Sequence, residues 1–69
     1  MQESTDSYYV VYHRHNSRTG KHVHRDGPMG EFAAEKEAHR LSKCPDISAV
    51  WVTWGTPYFK EGQYLQFKG

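Results

Sequence analysis

The chain opens its apolar pattern at Tyr8-Tyr9-Val10-Val11-Tyr12, a run of aromatic and β-branched side chains. These types suit a pleated, half-buried surface. A strand is expected there, continuing through His13-Arg14-His15. Asn16-Ser17-Arg18-Thr19-Gly20 reads as a turn, because Gly20 takes positive φ cheaply and Asn and Ser bond back to their own backbone. Lys21 to Arg25 is expected as a short second strand, broken by Asp26-Gly27-Pro28-Met29-Gly30 with its two glycines and a proline. Residues 1–7, with no apolar side chain after Met1, are expected to be a flexible tail preceding one domain over 8–69.

The period then changes. Ala33 to Lys43 is rich in strong helix formers. Ala34, Ala38 and Leu41 recur at spacings of four and three, which places them on one helical face. Phe32 is expected to staple the start of this helix. Pro45 ends it, since the residue before a proline is pushed out of the helical region. Ile47 to Trp54 is the clearest strand, Gly55-Thr56-Pro57 a turn, and Tyr58 to Gly62 a loop or short edge piece. Gln63 to Phe67 is a last strand with Leu65 and Phe67 on one face. The order β-β-α-β-β predicts an α+β fold, a small antiparallel sheet with one helix packed on one face.

Length and composition narrow the function. Sixty-nine residues make one small domain, with a core that supplies only about 3–5 kcal/mol. The hydrophobic fraction is 36%, low for a globular chain. The aromatic fraction of 14% is nonetheless too high for a disordered segment. A single cysteine, Cys44, excludes an internal disulfide. No apolar run approaches membrane-spanning length, and the polar, acidic start does not read as a signal peptide. A cytoplasmic protein without membrane contact is expected.

Four of the five histidines form two His-x-His pairs, His13/His15 and His22/His24, about one turn. On a strand, residues two apart share a face. Pairing Asn16 with Lys21 puts all four imidazoles on one face. Pairing Ser17 with Lys21 makes His13 and His15 flank Val23 and sends His22 and His24 to the other side. A shift of one residue exchanges the faces, and the sequence leaves the register open. The plainest reading is a solvated polar hairpin. A zinc site on His13, His15, His22 and His24 is a weaker one: imidazole suits zinc, but Arg14, Lys21 and Arg25 crowd the ligands with positive charge. No cofactor is otherwise expected. Nucleic-acid binding is the third reading. Arg14, Arg18, Lys21 and Arg25 give residues 13–25 a charge of +4 within a chain of net charge +1, so the rest carries −3. Basic β-ribbons track phosphates, but four cations predict only weak, unspecific binding.

Both faces of the sheet are expected to be apolar, since Tyr8, Val10 and Tyr12 alternate with Tyr9 and Val11, and Ile47, Ala49 and Trp51 with Val50, Val52 and Trp54. One helix covers one face. The second cover is expected to be a partner, either a second copy in a homodimer or another protein, with Tyr58, Phe59 and their loop as the alternative. Trp and Tyr dominate binding hot spots, so Tyr8, Tyr12, Trp51, Trp54, Tyr58 and Phe59 are the candidate contacts. Catalysis finds no nucleophile elbow, phosphate loop or dinucleotide fingerprint, and an enzyme is not expected.

The layout resembles a set of very short phage and prophage proteins, mostly of unassigned function. The likeness rests on the order of elements over residues 8–54: an opening strand like Tyr8-Tyr9-Val10-Val11-Tyr12, a polar hairpin, Gly27-Pro28 to Phe32 leading into a helix marked by Glu37-Ala38, and a closing strand like Val50-Trp51-Val52. Some phage proteins of this size bind and inhibit a host protein, and the resemblance implies that activity without assigning a residue to it. The expectation is a small non-catalytic protein-interaction module, with nucleic-acid binding through the His-rich hairpin as the alternative.

Overall fold

The computed structural model describes residues 7–14 and 23–69. Five elements follow one another: β1 (Tyr8–Arg14), β2 (Val23–Met29), α1 (Glu31–Ser42), β3 (Ile47–Trp54) and β4 (Tyr64–Lys68). The strands form one antiparallel sheet in the order β2-β1-β3-β4. This is the expected α+β fold. Its most aromatic and β-branched strands, β1 and β3, are the central ones. Among the described residues no helix is long and apolar enough to cross a membrane.

The helical stripe behaves as its spacing dictates. Ala34, Ala38 and Leu41 are buried against Val10, Ile47, Val50 and Val52. Small side chains on α1 let its backbone approach the sheet, so the aliphatic side chains of β1 and β3 supply most of the core volume. Besides a one-residue shift of β4, to Tyr64–Lys68, two differences from expectation matter here. The helix begins at Glu31, with Gly30 as N-cap, and the Ala34 amide donates to the Gly30 carbonyl at 2.9 Å. Phe32 therefore lies inside the first turn, and at 80% exposure it staples nothing. At the other end Lys43 is the C-cap, and the Lys68 ammonium donates to the Cys44 carbonyl at 2.9 Å.

The second difference is β2, which runs through Asp26-Gly27-Pro28 to Met29 instead of breaking at Asp26. As an edge strand it tolerates proline, whose missing N–H costs nothing on the outer side. The ladder with β1 shifts between Tyr8 and Val10, opposite Gly27 and Pro28. Gly27 has φ +135°, and a Cβ there would stand 2.8 Å from the Tyr8 carbonyl oxygen. Only glycine lets β1 and β2 approach so closely at that irregularity.

Candidate functional site

Strand pairing assigns each candidate residue to a face. Tyr8 stands opposite Trp54, Val10 opposite Val52 and Tyr12 opposite Val50. All belong to the face covered by α1. Tyr9, Val11 and His13 stand opposite Thr53, Trp51 and Ala49 on the second face. The six aromatic candidates are thus divided. Tyr8, Tyr12 and Trp54 lie on the helix side, while Trp51 lies on the second face with Phe59 packed against it and Tyr58 against Arg25.

The loop 55–63 folds back across that second face. Phe59 meets Trp51 edge-on at 5.4 Å between ring centroids and Tyr64 at 4.4 Å. Trp51 in turn takes His13 against it at 5.1 Å, and the Arg25 guanidinium sits 4.7 Å from the centre of the Tyr58 ring. Thr53, fully buried, anchors the loop by donating its hydroxyl to the Thr56 carbonyl, and the Gly55 amide donates to the Ser7 carbonyl at 2.9 Å. With this cover in place Val11 is 1% exposed. Of the two covers weighed from the sequence, the loop occupies the second face, yet Phe59 itself stays 53% exposed and Tyr58 is exposed beside it.

The hairpin histidines separate as well. His13 pairs with Val23 and Tyr12 with His24. That register has the parity of the second alternative, displaced along the ladder. His13 therefore faces Trp51 on the second face, whereas His24 stacks on Tyr12 at 5.2 Å on the helix side. His15, His22, Arg18 and Lys21 lie outside the described residues. The two described basic candidates diverge likewise. Arg14 forms an ion pair with Asp46 at 3.0 Å and lies 5.7 Å from the Tyr12 ring centre, while Arg25 lies on Tyr58. Burial, and then the carboxylate of Asp26, hold the Tyr12 hydroxyl above its ordinary pKa, partly opposed by the bond to Arg14. Nε2 of His24 and Nε1 of Trp51 are buried with no partner among the described residues.

The surface that sequence reading missed lies on the helix side. α1 rests chiefly over β3 and β1 and reaches β4 less. A cleft of about 250 Å³ remains, lined by Tyr8, Val52, Trp54 and Leu65 from the sheet and by Glu31 and Glu35 from the helix. Leu65 is 50% exposed at its rim. Beyond Glu35, Phe32 and Phe67 line a more open depression with Lys36 and His39. The signal for Leu65 was present: it shares a face with Phe67 on the last strand, and one narrow helix is too slim to reach an edge strand. The signal for Phe32 was its offset from the Ala34/Ala38/Leu41 stripe, which points it outward once the helix starts two residues earlier.

Comparison of the chain with protein-family models, with curated proteins and with solved structures finds no significant match.

Proposed function

We propose that this chain is a small, non-catalytic protein-interaction module, acting in the cytoplasm, that receives its partner on the side of the sheet between α1 and β4. The observation that carries the reading is the exposed apolar surface there: Leu65, at 50% exposure, borders a concave surface floored by Val52 and Trp54, and Phe32, at 80%, borders the neighbouring depression with Phe67. Contiguous apolar surface rimmed by polar residues marks interaction sites, and a buried Leu or Phe contributes about 1.5–3 kcal/mol. The likeness to short phage and prophage proteins supports a host protein as the partner. Self-association through the same strip is the homotypic form of the reading.

Affinity capture tests it, comparing the wild type with a Phe32→Ser/Leu65→Asp double variant and with Arg25→Ala on the opposite face. A protein retained by the wild type and by Arg25→Ala, but lost from the double variant, is the expected result. Retention that tracks Arg25 instead, or no retained protein from any source or second copy, overturns the reading.

A second reading keeps nucleic acid as the ligand, because Arg25 lies on the exposed Tyr58 ring next to the exposed Phe59. Exposed aromatics beside a cation can stack bases. Salt separates the two: phosphate binding weakens steeply as counterions are released, while capture through the apolar strip persists.

A further inference from the structure

We infer that the α1–β4 cleft takes a cationic, amphipathic segment of a partner protein: a bulky apolar side chain for the floor, with lysine or arginine beside it. The inference deepens the interaction reading and rests on it. The cleft holds two carboxylates, Glu31 and Glu35, and no cation. Both are exposed, one helical turn apart on the same flank of α1. Among the described residues neither is in an ion pair, whereas Glu37 is engaged by Arg40 and Asp46 by Arg14. Glu31 is in the first turn of α1, where the helix dipole favours negative charge. Lys36 and His39 of α1 line the neighbouring depression past Phe32 instead.

The same charges decide between occupants. A two-fold dimer seated on this strip places the same patch of both copies face to face. With the two-fold axis through the cleft, Glu31 and Glu35 of one copy converge on Glu31 and Glu35 of the other, and like charges brought together in an interface oppose association. A segment carrying lysine or arginine meets the carboxylates with complementary charge while its apolar side chain covers Val52, Trp54 and Leu65. A partner with acidic flanks has the apolar match and the wrong charge.

Three synthetic peptides of equal length test this by amide chemical-shift mapping: one alternating lysine and leucine, one alternating glutamate and leucine, and one alternating lysine and serine. The expected result is saturable binding of the lysine–leucine peptide alone, with the largest shifts at Glu31, Glu35, Val52 and Leu65. Glu31→Gln/Glu35→Gln should weaken that binding by about three- to tenfold, the scale expected for two exposed rim charges. Leu65→Ser should weaken it as well, and Arg25→Ala on the opposite face should leave it unchanged. Equal binding of the glutamate–leucine peptide, binding of lysine–serine that equals lysine–leucine, or shifts centred on the second face overturn the assignment. So do cleft amides that move with protein concentration rather than with peptide, which name a second copy as the occupant. If the lysine–leucine peptide fails while capture still depends on Phe32 and Leu65, the interaction reading stands and the charge of the partner is wrong.

Discussion

The two faces of the sheet are closed by different means. On one, α1 presses small side chains onto Val10, Val50, Val52 and Ile47, and the contact is aliphatic and nearly dry. On the other, the loop 55–63 lays Phe59 against Trp51 and bonds to Thr53, and its outer rings stay in water. A helix presents a continuous stripe held by its own backbone bonds, so its contribution is delivered as one block. A loop contributes through a few anchors, and each ring it places is only partly withdrawn from solvent. The difference teaches that a sheet apolar on both sides does not by itself call for a partner, and that the surface left over appears where the rigid cover is too narrow.

Ile47→Ala should have the largest effect of any substitution beneath the helix. Ile47 is 1% exposed beneath α1, and such truncations cost about 2–5 kcal/mol, which is on the order of the whole stability of so small a domain. Circular dichroism in denaturant should show the variant largely unfolded. Phe59→Ala on the other face, starting from 53% exposure, should cost only about 1 kcal/mol and leave a cooperative transition. Equal losses at the two sites refute the division drawn between the faces.

Gly27→Ala comes next, with an expected loss of about 1–3 kcal/mol from positive φ and from the collision with the Tyr8 carbonyl. A midpoint unchanged from wild type contradicts the close approach of β1 and β2. Thr53→Val keeps the shape of a buried side chain and removes the donor to the Thr56 carbonyl. A loss of about 1 kcal/mol is expected, accompanied by a red shift of Trp51 emission as the loop loosens. A blue shift, or no change in either quantity, removes Thr53 as the anchor.

The smallest effect is alkaline. The Tyr12 hydroxyl titrates above its ordinary value of 10.0, so the folded state holds that proton more tightly than the unfolded one. Its contribution is complete below pH 10.0 and is lost as pH rises through the folded value. Stability measured against pH in Tyr12→Phe should therefore fall less steeply above pH 10 than in the wild type. A steeper fall in the variant reverses the sign.

Much of this fold was legible because its strongest elements agree with their local signals. β3 emerged within its predicted bounds, and the Ala34/Ala38/Leu41 stripe names the buried face of α1. Asp26-Gly27-Pro28 was not legible, since the same residues that end a central strand are tolerated at an edge, and edge position depends on strand order. The hairpin register was open because the local sequence allows loops of either parity, and the alignment of His13 with Val23 is one of them. The six candidate aromatics divide between the two faces of the sheet. Parity correctly separates Trp51 from Trp54, but it says nothing of how far α1 reaches, and that reach leaves Leu65 uncovered.

The loop over the second face also gives the molecule a second, shallower way to come apart. One end is fastened beside β1, at Gly55 to Ser7, and the other closes on itself in the turn where the Gln63 amide donates to the Lys60 carbonyl at 2.9 Å. It can therefore lift without separating β3 from β4. Opening of that kind costs less than global unfolding. It bares Trp51 and Val11 while the sheet stays paired and α1 stays seated. Amides of residues 55–63 should then exchange with solvent through this opening, well before those of β1 and β3. Nicking by a protease in the same loop should track the population of the lifted form rather than the unfolding rate. The resistance of this protein to proteases should then follow its aromatic cover, while its thermodynamic stability follows the contacts beneath the helix.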